Sequence, residues 1–133
     1  MRGTGDRDAN MMPKNELEER LVKFFETENS REWKLYESFL SPKVEWILYG
    51  PPKRKIVIGK KEYVKTMKRA NRSVSAKFKV INMVSDLDRG IVITELELLS
   101  RRSVDVFEFE NGLITNEREY YDDTSWIDFA QKP

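Results

Sequence analysis

Carboxylates, tyrosines, hydroxyls and basic side chains are the chemical repertoire of this 133-residue chain, because it contains neither histidine nor cysteine. That excludes Ser-His-Asp chemistry, thiol nucleophiles, disulfides and the usual zinc ligand sets. Among the acids, four glutamates stand in phase with apolar residues. In IVITELELL, Glu95 and Glu97 share parity with Ile91, Ile93 and Leu99, and in LITNEREYYD, Glu117 and Glu119 share parity with Leu113 and Tyr121. Side chains of equal parity along a strand share a face. A carboxylate on a half-buried face is costly unless paired or protonated, and burial or a like-charged neighbour raises its pKa towards the range of general acid/base work. Two readings stay open at this point. The glutamates form an acid/base pair facing a pocket, or they lie on the solvent side and pair with Lys and Arg across strands. Four carboxylates could hold Mg²⁺ or Ca²⁺, but no acid-rich loop of suitable spacing accompanies them. Neither a metal nor a cofactor is expected.

The elements that must position these residues are legible from periodicity. Residues 1–13 carry Gly3, Gly5 and Pro13 without apolar periodicity and read as a flexible tail, leaving 14–133 as a single domain. Asn15 reads as a helix N-cap, with Glu18 completing a capping box, and Leu17, Leu21, Phe24 and Phe25 mark one helical face to about Glu28. Ser30 is expected to cap a second helix bearing Trp33, Tyr36, Phe39 and Leu40, which Pro42 ends. A strand follows from Val44, then KIVI, then a helix opened by Gly59 with Tyr63, Val64 and Met67 facing inward. In AKFKVINMV the apolar parity shifts between Val80 and Ile81, which predicts a bulge. IVITELELL, SVDVFEFE and LITNEREYYD are long strands, the last two joined by a hairpin at Asn111-Gly112, and TSWIDFAQ suggests a closing helical turn. Helices segregated from a mostly antiparallel sheet define an α+β domain.

Aromatic residues Trp33, Trp46, Tyr49, Phe24 and Phe107 could line an apolar pocket or pack the core. The charge is divided unevenly. Residues 51–79 hold eleven basic side chains against Glu62, while 80–123 hold eleven acids against Arg89, Arg101, Arg102 and Arg118. The basic block reads as a solvated helix face pairing with the acidic half, in preference to a nucleic-acid surface. The longest apolar run, Trp46–Tyr49, is far short of the ~18 residues needed to span a bilayer, and MRGTGDRDAN lacks a signal-peptide core. A cytoplasmic protein that does not enter membranes is expected.

The run from VEWILYGPP through IVIGKKEYV to DVFEFENGLITNEREYYD resembles the nuclear transport factor 2-like superfamily, and within it the SnoaL-like polyketide cyclases, relatives of ketosteroid isomerase and limonene epoxide hydrolase. The resemblance covers about residues 15–130. It implies a cystatin-like cone of three N-terminal helices packed on a curved, mostly antiparallel sheet that encloses a pocket for a small hydrophobic ligand, and a homodimer built on the outer sheet surface. It places the acid/base residue of the cyclases on Glu119, and the two acids of the hydrolase on Glu119 and Glu97. The hydrolase's linking arginine falls on Glu95, and its water-positioning Tyr and Asn fall on Trp46 and Leu48, so the hydrolase machinery is not preserved. The first-helix tyrosine of the isomerase falls at Phe24 and Phe25, which departs from that enzyme too. The resemblance leaves a carboxylate-based isomerase, cyclase or lyase as one expectation, with Glu119 as base, Glu97 as partner acid, Glu95 and Tyr121 beside them and Glu117 among the pocket residues. A non-catalytic binding module is the other.

Overall fold

A computed structural model describes residues 13–50, 53–72 and 75–121. All of the expected tail but Pro13, and the expected turn at TSWIDFAQ, fall outside these residues. The chain runs through helices α1 (Glu16–Asn29) and α2 (Trp33–Glu37), strands β1 (Leu40–Tyr49) and β2 (Lys55–Ile58), helix α3 (Lys60–Asn71), and strands β3 (Lys79–Asp86), β4 (Ile91–Leu98), β5 (Arg101–Glu110) and β6 (Leu113–Tyr121). The strands form one open sheet in the order β2-β1-β6-β5-β4-β3, antiparallel throughout except for the parallel pair β1–β6. The class is therefore α+β, with a correction to the helical arrangement. Two helices precede the sheet and the third interrupts it after β2, and the sheet does not close on itself. None of the helices is long and apolar enough to cross a membrane among the described residues.

Local sequence explains most boundaries. The Asn15 carboxamide oxygen accepts from the N–H groups of Leu17 and Glu18, satisfying two of the free donors at the start of α1. The Glu18 carboxylate folds back onto the N–H of Lys14. Ser30 ends α1 instead of starting α2: its hydroxyl donates to the carbonyls of Glu26 and Thr27. The second helix is also shorter than its apolar spacing suggests. It stops at Glu37, so Phe39 and Leu40 reach the core from the start of β1, and Pro42 lies within that strand. Gly59 opens α3 at φ 92°, a backbone region that glycine enters freely.

Three register shifts interrupt the sheet, one in the β1–β6 pair between Leu40 and Glu45 and two that are single-residue bulges. Ile81 is the extra residue between the pairs Val80–Leu96 and Asn82–Glu95, and Thr115 the extra one between Glu108–Asn116 and Phe109–Ile114. The first bulge brings Phe78, Val80 and Met83 all against the core, as the parity shift predicted. The second overturns a parity assignment. Ile114, not Leu113, lies fully buried, while Glu117 two positions past the bulge still turns inward. The core sits on that inner face: Phe24 stacks on Tyr36 at 4.3 Å between ring centres and meets Phe107 edge-on, while Trp46 packs on Tyr63. Both ends of α1 are tied to the sheet's far edge, through Asn15 to Ser85 at 2.7 Å and through Asn29 to the backbone of Phe78.

The β4–β5 turn is built on unfavourable residues. Leu99 and Ser100 both take positive φ (52° and 67°), a pairing that suits Asn-Gly, and Leu99 is exposed. Replacing the pair by Asn-Gly is expected to raise stability by about 1–2 kcal/mol, measurable as a higher urea midpoint with an unchanged slope.

Candidate functional site

Strand register builds the site. On the inner face, Glu119 of β6 lies opposite Asp105 of β5 and beside Leu48 of β1, while Glu117 lies opposite Phe107 and beside Trp46. Directly opposed side chains on one face come within about 5 Å and diagonal ones within reach of long side chains. Three carboxyls therefore converge: oxygens of Asp105, Glu117 and Glu119 all lie within 4.8 Å of one another. Asp105 and Glu117 are buried, and Glu119, the least buried of the three, is partly exposed. No lysine or arginine forms an ion pair with them among the described residues, whose bridges join Lys23–Glu19, Arg102–Glu95, Arg102–Glu97 and Arg118–Glu108.

Neutral donors take the place of a cation. The Tyr63 hydroxyl of α3 donates to Glu117 Oε1, and the Trp46 indole N–H donates to Glu119 Oε1 at 3.1 Å. Burial, and after it the charge of Glu119, raises the pKa of the Tyr121 hydroxyl, two residues on along β6. Asp105 Oδ1 is buried with no hydrogen-bond partner. Burial, reinforced by the charge of Asp105, drives the Glu119 carboxyl up to about 8. Burial raises Asp105 to about 6. Glu117 is raised well above the ordinary carboxyl range, first by burial and then by Asp105 and Glu119. Near neutral pH Glu117 and Glu119 thus keep their protons while Asp105 is largely ionised, so the cluster holds both donors and acceptors. That is an arrangement able to exchange protons with a bound molecule. The same three residues bring ligand oxygens close enough to hold one divalent cation, which would have to displace those protons to bind.

A fourth buried acid stands behind them. Glu28 of α1 accepts from the Tyr36 hydroxyl at 3.0 Å, and burial pushes its carboxyl up to about 7. Neither Asp105 nor Glu28 was singled out from the sequence, although both left a signal there. Asp105 is in phase with Phe107 and Phe109, and Glu28 continues the helical face of Leu21, Phe24 and Phe25.

The other expected residues divide between the two faces. Glu95 and Glu97 point outward, where Glu95 accepts from Asn82 at 2.7 Å and from Arg102 at 2.9 Å, and Glu97 accepts from Arg102 at 3.2 Å. Those hydrogen bonds, from Asn82 first and Arg102 second, lower the pKa of Glu95. The expectation that Glu97 faces Glu119 is therefore corrected: inward positions on β4 belong to Val92, Thr94 and Leu96, so the sheet itself separates the two glutamates. Tyr49 also faces outward, stacked on Tyr120 with ring centres 4.7 Å apart, and does not join the trio. Trp46 touches the site directly, and Trp33 packs edge-on against Tyr36. Phe24 and Phe107 are buried in the aromatic core beneath the trio.

The ionisation of Glu28 carries a stability cost whose sign is fixed by its raised pKa. Its contribution is fully present below pH 4.5 and is lost as pH rises towards about 7. Glu28→Gln is expected to be more stable than the parent by about 1–3 kcal/mol at pH 8, with no gain at pH 4.5. Urea unfolding at the two pH values measures both.

Neither a protein-family model nor a curated protein sequence matches the chain. Solved structures do. A protein of unknown function with a cystatin-like fold from Methylobium petroleophilum superposes with a TM-score of 0.72 at 14% identity, over 82% of this chain and 77% of that one. A SnoaL-like protein of unknown function from Burkholderia thailandensis gives 0.68 at 14% identity, over 80% and 94%. A candidate ketosteroid isomerase from Kribbella flavida gives 0.60 at 22% identity, over 79% and 76%. The chain has the fold shared by nuclear transport factor 2-like, SnoaL-like and ketosteroid isomerase-like proteins, as the sequence resemblance implied.

Proposed function

We propose that the chain is a cofactor-free enzyme of the carboxylate acid/base type, working on a small hydrophobic metabolite held between the helices and the inner sheet face. The observation that carries this reading is the position of Glu119. It is the one member of the trio with solvent access, its carboxyl titrates at about 8, and it lies opposite Asp105, which titrates at about 6. Neighbouring carboxyls pushed apart in pKa divide acid and base roles between them. The reaction class is proton transfer at a carbon next to a carbonyl, or a related cyclisation or dehydration. An ionised carboxylate of the trio takes the carbon proton, the electron pair moves onto the carbonyl oxygen, and a protonated neighbour returns a proton elsewhere on the substrate. Glu119 is the group that exchanges the proton, Asp105 and Glu117 are its partners in place of Glu97, and Tyr121, two residues past Glu119 on the same strand, is a further donor to the substrate. The Trp46 N–H fixes the orientation of Glu119.

The Kribbella flavida relative supports the reading by fold analogy alone. The proposal includes a homodimer, since the outer face exposes Val84, Ile93, Val104 and Tyr120, which a second copy would cover. It also keeps the protein in the cytoplasm.

Glu119→Gln is expected to keep its fold and lose at least about 100-fold in turnover on a panel of small cyclic ketones and β-hydroxy carbonyl compounds. Glu97→Gln is expected to match the parent. Retained turnover in Glu119→Gln, or no turnover of any panel compound by the parent, contradicts the enzyme reading and favours a binding module.

A further inference from the structure

Helix α3 turns Tyr63, Val64 and Met67 inward and gives another face to cations. Lys61, Lys65, Lys68, Arg69 and Arg72 follow one another at i, i+4, i+7, i+8 and i+11, and all five are exposed. With Val64, and with Glu37 from the end of α2, they line an open groove of about 390 Å³. The sequence suggests that this basic block pairs with the acidic half of the chain. Among the described residues it does not. Glu95, Glu97 and Glu108 are paired with Arg102 and Arg118 of their own half, and none of the five cations on α3 has an ion pair.

The stripe is unfavourable to the helix that carries it. Like charges three and four residues apart on a helix repel, and here Lys61 adjoins Lys65, Lys65 adjoins Lys68 and Arg69, and both of those adjoin Arg72. Arg69 and Arg72 suit the C-terminal end of the helix dipole, but Lys61 stands in the first turn, where a positive charge opposes it. An anion lying along the stripe would relieve both terms. The formal net charge of the chain is only +1, so the attraction for such an anion belongs to this face and not to the molecule as a whole.

We propose that Lys61, Lys65, Lys68, Arg69 and Arg72 hold the backbone of a nucleic-acid duplex, contacting successive phosphates of one strand without reading the bases. Spacing is the first argument. From Lys61 to Arg72 a helix rises about 16 Å, so the cations recur about every 4 Å, close to the ~3.4 Å between phosphates along one strand of a duplex. A lone phosphate or a short polyphosphate would engage only part of that row. The second argument is the lack of a stacking surface. Tyr63, the aromatic residue of α3, is buried and donates to Glu117, so unpaired bases would find no ring on this face. Contacts confined to phosphates position a duplex and carry no sequence information. Glu37, the acid in the groove lining, disfavours phosphate on its side and so sets one edge of the path. The inference is independent of the acid/base reading, and either can fail without the other.

The full chain is titrated against a fluorescein-labelled DNA duplex of about 20 base pairs, and fluorescence anisotropy is followed between about 25 and 200 mM NaCl. Four or five phosphate contacts predict that the logarithm of the binding constant falls against that of the salt concentration with a slope of about −4. Two duplexes of unrelated sequence are expected to bind within about twofold of each other. The double variant Lys65→Glu, Lys68→Glu is expected to bind at least about tenfold more weakly. Its urea midpoint should be no lower than the parent's, since the change relieves repulsion along the helix. Lys79→Glu removes an exposed lysine of the same basic block, but on β3, at the opposite edge of the sheet from β2 and α3. It is expected to bind as the parent does, and Glu37→Gln about twofold more tightly. Absence of binding at about 25 mM NaCl, or undiminished binding by the double variant, overturns the proposal. So does binding of the corresponding single strand, or of polyglutamate, as tight as that of the duplex.

Discussion

The inner face of this sheet buries carboxyls without giving them cations. Asp105, Glu117 and Glu119 converge on two adjacent strands, and none of the three is ion-paired among the described residues. Three negative charges at that spacing in a poorly solvated site would cost several kcal/mol each. The trio is tolerable because protons stay on it and neutral donors surround it. The Tyr63 hydroxyl and the Trp46 indole are where they are because α3 packs onto β1 and β1 pairs with β6, so the aromatic core and the polar cluster are one construction. Removing the hydroxyl or the indole would leave a buried acid with fewer partners. Removing the acids would leave buried donors unmet.

The two faces of the sheet treat acids in opposite ways. Outside, Glu95 and Glu97 share Arg102, and Glu108 pairs with Arg118, so those carboxylates contribute the small gains of surface ion pairs. Inside, hydroxyl and indole donors replace arginine. One sheet thus separates acids that solubilise it from acids whose protonation lies in the range useful for chemistry, and a single-residue change in parity decides which kind a glutamate becomes.

That dependence on parity explains what could be read from the sequence and what could not. The N-cap at Asn15, the glycine before α3, the Asn111-Gly112 turn and the bulge near Ile81 are local signals, and each corresponds to an observed feature. Alternation put Glu117 and Glu119 on one face but left open which face it is, and the bulge at Thr115 exchanged Ile114 for Leu113 as their apolar companion. Alternation failed for β4 because both of its faces carry aliphatic residues. Ile91 and Ile93 in phase with Glu95 looked like a buried row, yet Val92, Thr94 and Leu96 form the inward one. An apolar residue on an outer face is ordinary, so it is poor evidence for burial. Asp105 was readable from its phase with Phe107 and Phe109. The hydrogen bond between Tyr63 and Glu117 was not, because its partners lie on a helix and a strand far apart in the chain.

Proton uptake on folding tests the account most directly. With no histidine in the chain, protons bound on refolding near pH 6.5 must come from carboxyls whose affinity rises in the folded state. Refolding the urea-unfolded protein by dilution into weakly buffered solution at pH 6.5, with a pH indicator, counts them. The raised carboxyls of Glu28, Glu117 and Glu119 predict an uptake of about two or more protons per chain. No uptake, or a net release, would mean that the buried acids fold as ionised carboxylates and would contradict the account.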